Sequence, residues 1–299
     1  MNTVKTKCGY IAIIGRPNVG KSTLLNHILG QKMSITSRKP QTTRHQIMAV
    51  KTEENVQAIY VDTPGMHQTQ PKAINRVMDK AARSVISDVD VILWVVDLHW
   101  TKEEDRILKM LSGVKVPIIL VINKIDRLKQ KGDLLPLIEK YGRDFDFTDI
   151  VPVAAINGKQ VDSLQLLIEK YLPVGSFLFD PSQLTTKTER FMVAEIIREK
   201  LIRALGQELP YAVTVEIDIF KEDQHRALTD IAATIFVERA SQKQIIIGKK
   251  GAKIKQIGTD ARKDIEALIS QKVYLQLWVK VKEGWADDDR ALKNFGYGE

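Results

Sequence analysis

Short apolar stretches recur along the first part of the chain, and segments with helical spacing alternate with most of them. Residues 10–14 are apolar and run into a glycine-rich turn, and residues 21–29 read as the helix that follows. Residues 46–51 and 56–62 read as strands, and residues 76–86 carry helical spacing. Residues 89–97 and 117–123 are near-continuous apolar runs of strand length, with helices predicted over 103–111 and 134–141. Strands buried on both faces of a sheet read as unbroken runs of this kind. A short strand at 150–154 and a helix at 163–171 close the series. This rhythm predicts a doubly wound α/β domain on a mostly parallel sheet.

The rhythm stops at Pro173. Pro173, Gly175, Pro181 and the threonine-rich residues 184–188 read as a linker. We divide the chain into a first domain at 1–175, a linker at 176–190 and a second domain at 191–299. The second domain has its own pattern. Residues 190–205 read as an amphipathic helix, and residues 211–220 and 229–239 alternate as strands. Two helical stretches flank Gly248 and Gly251, and residues 272–282 alternate as a last strand. Helices on one face of a three-stranded sheet make an α+β domain.

Composition narrows the class. The chain has 299 residues, 44% of them hydrophobic, which is long enough for two cores. A net charge of +8 favours an anionic partner, nucleic acid or a membrane surface. Cys8 is the only cysteine, so no internal disulfide forms, which fits a reducing cytosol. Residues 1–9 lack the apolar core of a signal peptide, and no apolar run approaches the ~20 residues of a membrane span. The expectation is a cytoplasmic protein, at most peripheral to a membrane.

Three motifs carry the chemistry of the first domain. Gly15, Arg16, Pro17, Asn18, Val19, Gly20, Lys21 and Ser22, followed by Thr23, fit the phosphate-loop pattern G-x-x-x-x-G-K-S between a predicted strand and helix. Its glycines turn backbone N–H groups towards phosphates, Lys21 reaches the β- and γ-phosphates, and Ser22 ligates Mg²⁺. Asp62, Thr63, Pro64 and Gly65 end a predicted strand, where Asp62 can hold the Mg²⁺ shell and the Gly65 N–H can meet the γ-phosphate. Asn123, Lys124 and Asp126 stand in an N-K-x-D pattern after a buried strand. The Asp126 carboxylate can accept both N1–H and the exocyclic amine of guanine, a donor pair adenine lacks, and the Lys124 stem can cover the base. The nucleotide expected is therefore GTP or GDP.

These residues resemble the translation-factor type of GTPase, and Pro40, Gln41, Thr42, Thr43, Arg44 and His45 bring the likeness closer to Era and related GTPases. The resemblance implies that Thr43 meets Mg²⁺ when GTP is bound, with Thr42 as the competing choice. Val153, Ala154 and Ala155 stand at the family's guanine loop, with Ala154 where serine is usual, so a backbone contact to guanine O6 survives and a hydroxyl contact does not. Lys21, Thr43, Asp62 and Gly65 are the candidate catalytic set. Many GTPases orient water with a glutamine where this chain has Met66. Slow intrinsic hydrolysis, raised by a partner or another group entering the site, is the expectation. Asn18 either helps seat a potassium ion, as in related GTPases, or only fills the loop. His67 follows Met66 and reads as solvated, although a catalytic part is open to it.

In the second domain, Ile247, Gly248, Lys249, Lys250, Gly251, Lys253 and Ile254 contain a G-x-x-G between helices and resemble the KH RNA-binding module, of type II by element order. The glycines admit a sugar–phosphate backbone, and Lys243, Lys253, Lys255, Arg262 and Lys263 add charge. Ile247, Ile254 and Ile257 are expected to line a groove for unstacked bases. Trp278 and Trp285 are read as packing residues.

A P-loop GTPase domain followed by a KH domain is the Era family architecture, and residues 190–200 and 284–289 share that likeness. The resemblance implies binding of small-subunit (16S) ribosomal RNA near its 3′ end, a role in assembling the 30S subunit, loose association with the inner face of the bacterial membrane, a monomer, and no role for DNA. Two rivals stand beside it. One is a GTPase of tRNA modification, which shares Thr-Thr-Arg but usually ends in a catalytic cysteine, where this chain reads Gly296, Tyr297, Gly298 and Glu299. The other is a membrane-docked RNA-binding module with little turnover.

Overall fold

The computed structural model describes residues 5–37, 39, 42–65, 72–143, 145–205, 213–223 and 225–297. The chain forms two compact units. The first takes Met1–Thr36, Thr43–Gln70 and Met78–Thr186, and the second takes Ser37–Thr42, Pro71–Val77 and Lys187–Glu299.

The first unit is built on six strands: β1 (Lys7–Ile14), β2 (Ile47–Glu53), β3 (Val56–Asp62), β4 (Val91–Val96), β5 (Ile118–Ile122) and β6 (Asp149–Pro152). Their order is β2-β3-β1-β4-β5-β6. Only the β2–β3 pair is antiparallel. Helices α1 (Lys21–Leu29), α2 (Ala73–Ser84, in this unit from Met78 on), α3 (Lys102–Leu111), α4 (Leu134–Gly142) and α5 (Val161–Tyr171) alternate with the strands. One face of the sheet packs Ile11, Ile13, Leu93 and Val121 against Leu24, Leu25, Leu164 and Ile168 of α1 and α5. The other packs Ile14, Trp94, Val96 and Ile122 against Ile107, Leu111 and Tyr141 of α3 and α4. Burial on both faces explains why β4 and β5 are apolar at every position.

Local chemistry places the helix ends. Thr101 caps α3 in a capping box with Glu104, which is fully buried, and Gly30 closes α1 in the left-handed region at φ 66°. α2 begins three residues before the expected start, and its expected last turn is a 3₁₀ turn at Val85–Ser87. Residues 176–186 of the expected linker are tied to the first sheet. The side-chain oxygen of Gln57 accepts from the N–H groups of Leu178 and Phe179, and the Val50 N–H donates to Leu184 O. Proline there prevents helix but leaves backbone groups free to pair.

The second unit contains α6 (Glu189–Ala204), β7 (Val213–Asp223), β8 (Leu228–Val237), α7 (Ala240–Ile247), α8 (Ala252–Ile269), β9 (Lys272–Val281) and a short α9 (Asp289–Asn294). β8 pairs antiparallel with β7 and parallel with β9. Its core joins Ile197 and Leu201 of α6, Ile246 of α7 and Ile257 and Ile265 of α8 to Ile231, Ile235, Val273 and Val279 of the sheet. Ile257 is therefore a core residue, only 1% exposed, and cannot line a groove. α9 was not expected; its start is set by Asp288, whose carboxylate accepts from the Arg290 N–H. Trp285 is fully buried against Phe295 and Tyr297, as a packing residue should be. Trp278 is 58% exposed, against expectation, because the outer face of edge strand β9 is left uncovered.

Candidate nucleotide and RNA sites

The phosphate loop leaves β1 with Gly15 at φ 143°, Asn18 at φ 64° and Gly20 at φ 109°. Space as well as conformation demands these glycines. A Cβ at Gly15 would stand 2.2 Å from Val95 O, and one at Gly20 would stand 2.2 Å from Asn123 Nδ2. Lys21 is buried, and its ammonium donates to Gly15 O (3.0 Å) and Arg16 O (3.1 Å), holding the loop closed around itself. Burial lowers the Lys21 pKa to about 8, against the pull of Asp62 and with a push from Arg16.

Asp62 is fully buried at the end of β3. Its Oδ2 accepts from the Ser22 and Ser34 hydroxyls, both at 2.8 Å. Its Oδ1 is buried and has no hydrogen-bond partner among the described residues. Burial pushes this carboxyl up, while Lys21 and the two hydroxyls favour its charged form. The Thr43 hydroxyl lies 2.9 Å from that of Ser22, so Ser22, Thr43 and Asp62 form one oxygen-rich cluster. The Thr42 hydroxyl is engaged elsewhere, with Ser37 Oγ at 2.6 Å and Lys39 O at 2.7 Å. Thr63 donates to Ile13 O (2.9 Å), which anchors the turn to β1. A Cβ at Gly65 would come within 2.8 Å of the Pro17 nitrogen, so the Asp-x-x-Gly turn lies directly on the phosphate loop. Thr23 stands in the first turn of α1, and Pro64 lies in the Asp-x-x-Gly turn. Met66 and His67 lie outside the described residues.

Asn123 fastens three loops. Its Nδ2 donates to Val19 O (2.8 Å), and its Oδ1 accepts from the N–H groups of Lys124 (2.7 Å) and Ala155 (3.0 Å). The Ala155 amide thus ties the expected guanine loop to Asn123. Ala154, like Ala155, is buried. Lys124 has φ 66°, and its ammonium reaches Asn18 O at 2.5 Å and Asp97 Oδ2 at 3.3 Å, which carries its stem across to the phosphate loop. Asp126 is exposed just beyond, open to a base.

Reading motifs missed a charged brace behind this site. Arg16 donates to Asp97 Oδ1 (2.5 Å), to Glu104 Oε1 (2.6 Å) and to His99 O (3.3 Å). Burial would raise the Asp97 carboxyl, but the His99 amide, Arg16 and Lys124 hold it below the usual carboxylate range. Ser34 was missed too, since a lone serine between apolar residues carries no motif. Ile156, 76% exposed beside Ala155, is a further apolar side chain at the guanine loop. Among the described residues, no three His, Cys, Asp or Glu side chains cluster to hold a metal.

In the second unit the turn from α7 to α8 has Gly248 at φ 71°, Lys250 at φ 50° and Gly251 at φ 77°. A Cβ at Gly248 would lie 2.6 Å from that of Lys253. Lys249 and Lys250 are exposed, and Lys253 is half-buried. Ile247 and Ile254 pack partly against the core on either side of the turn. Ile245, 45% exposed on α7, is an apolar neighbour of the turn that the motif did not include.

Comparison with known proteins identifies both domains. Residues 10–124 match a family described as 50S ribosome-binding GTPase, and residues 208–286 match the KH domain. GTPase Era of Pseudomonas syringae pv. tomato is 54% identical over 299 residues, covering 100% of this chain and 99% of that protein. GTPase Era of Haemophilus ducreyi is 55% identical over 294 residues, covering 98% of this chain and 96% of that protein. Among solved structures, a variant of Aquifex aeolicus Era bound to GDP and aluminium fluoride is 38% identical with a TM-score of 0.95, covering 98% of this chain and 100% of that one. Era in complex with MgGDPNP and nucleotides 1506–1542 of 16S ribosomal RNA matches with the same identity, coverage and TM-score. The chain belongs to the Era family of GTPases.

Proposed function

We propose that this GTPase binds 16S ribosomal RNA near its 3′ end through its KH unit and acts in assembly of the 30S subunit, with GTP hydrolysis as its switch. One observation carries the reading: a fold shared at TM-score 0.95 with an Era structure holding MgGDPNP and that RNA. The glycine turn with exposed Lys249 and Lys250 supports it from this chain's own residues.

In the first unit, backbone N–H groups of the Gly15–Lys21 loop, except at Pro17, wrap the phosphates, and Lys21 reaches the β- and γ-phosphates. Ser22, Thr43 and Asp62 hold Mg²⁺, a fit supported by the unpartnered, buried Asp62 Oδ1 beside two hydroxyls. Magnesium held there supplies positive charge to the phosphate oxygens. The Gly65 N–H faces the γ-phosphate, and Asp126 with Lys124 and the Ala154–Ala155 loop takes the guanine. A potassium ion at Asn18, a monomeric state, and a cytoplasmic location with loose attachment to the membrane's inner face complete the proposal; they come from the family resemblance. The tRNA-modification reading finds no support, since residues 208–286 match a KH domain.

The test is binding of a 16S 3′-terminal oligonucleotide by the full chain and by Lys249→Ala/Lys250→Ala. The double variant should lose RNA affinity while keeping wild-type affinity for GTP. Unchanged RNA affinity would remove the KH turn from the reading.

A further inference from the structure

We infer that Ser34, which lies outside every nucleotide motif, is the positioning residue that aims the Asp62 carboxylate at the metal. The inference rests on the magnesium reading above. Ser34 is 1% exposed, and its hydroxyl donates to Asp62 Oδ2 at 2.8 Å. Ser22 donates to the same oxygen at the same distance, while Oδ1 is buried with no partner among the described residues. Two donors on one oxygen fix the rotation of a carboxylate about its last bond. The lone pairs of the other oxygen are then left for a cation.

The two donors are not equivalent. Ser22 would itself be a metal ligand, so the ion dictates where its oxygen lies. Ser34 is held by the protein alone. Asn26 Oδ1 accepts from the N–H groups of Met33 (2.9 Å) and Ser34 (2.8 Å), and Asn26 Nδ2 donates to Ser34 O (2.7 Å). Asn26 and Ser22 both stand on α1. The helix therefore supplies one hydroxyl directly and fixes the second through three hydrogen bonds to the loop behind it. An outer hydrogen bond of this kind typically governs about ten- to a hundredfold in metal affinity.

The experiment follows release of a fluorescent GDP analogue from the full-length protein as Mg²⁺ is titrated, with a parallel arm in excess EDTA and a melting curve for each variant. Ser34→Ala should raise the Mg²⁺ midpoint about tenfold or more and leave release in EDTA at the wild-type rate. Ser34→Cys, which keeps the shape with a weaker donor, should shift the midpoint in the same direction, and it carries the measurement if Ser34→Ala fails to fold. A wild-type midpoint in the folded variant, or equal acceleration of release in EDTA, overturns the inference. If release from the wild type does not respond to Mg²⁺, the magnesium reading itself fails and takes Ser34 with it.

Discussion

Arg16 in the phosphate loop donates to Asp97 at the end of β4 across 2.5 Å. The other oxygen of that carboxylate faces Lys124 at 3.3 Å, so one side chain links the phosphate-binding and base-binding motifs. A hydrogen bond to a charged group is worth about 1.5–3 kcal/mol. Asp97→Asn keeps the shape and removes the charge. It should weaken GDP binding by roughly tenfold or more, chiefly by faster release, as stopped-flow displacement would show. Unaltered release would reduce the brace to surface decoration.

Asp126 is open to a base, beyond a Lys124 that is tied to the phosphate loop. Asp126→Asn should lower GTP affinity on the order of a hundredfold and raise affinity for xanthosine triphosphate, because the donor pair on guanine then meets an amide. Competition binding with both nucleotides gives the answer. An unchanged preference for GTP removes Asp126 from base selection.

The Lys21 ammonium, lowered to about 8 by burial, gives binding a pH dependence. Phosphates favour the charged form, so its pKa rises when nucleotide binds. Affinity is then full below pH ~8 and declines as pH climbs above that value, with proton uptake on binding. Calorimetry in buffers of different ionisation enthalpy at pH 8.5 should detect the uptake, and Lys21→Met should abolish it.

Residue 66 is methionine, where a water-orienting side chain would be useful. Intrinsic single-turnover hydrolysis should be slow, on the order of 10⁻⁴–10⁻² s⁻¹, as for unassisted GTPases. Addition of the cognate RNA or of potassium in place of sodium should raise it. Fast turnover indifferent to both would place the catalytic group elsewhere.

The two tryptophans of the second unit should behave oppositely in urea. Trp285→Ala empties a fully buried site and should cost about 3–5 kcal/mol. Trp278→Ala removes a side chain that is 58% exposed and should change stability by about 0.5 kcal/mol or less.

Much of this was legible in the sequence because local chemistry and position coincide. Gly15, Gly20 and Gly65 announce close backbone approaches, and the apolar runs of β4 and β5 announce burial on both faces. Ser34 and Asp97 were not legible, since their roles arise from what the sheet brings beside them and not from their neighbours in sequence. Helical spacing misled at Ile257, where proximity to the glycine turn suggested a groove and the core claimed the side chain. Trp278 misled in the reverse sense: alternation along β9 gives no hint of which face remains uncovered at a sheet edge. Thr42 and Thr43 are adjacent and chemically alike, so only their hydrogen-bond partners distinguish them.

The bend between α7 and α8 places three of four successive residues, one of them Lys250, at positive φ. Its curvature is thus set during folding, and little chain entropy remains to be lost when a polyanion arrives. Attraction at this point should then be nearly pure counterion exchange. The slope of log affinity against log salt would count the ammonium groups engaged there, about 0.7 for each on a single strand.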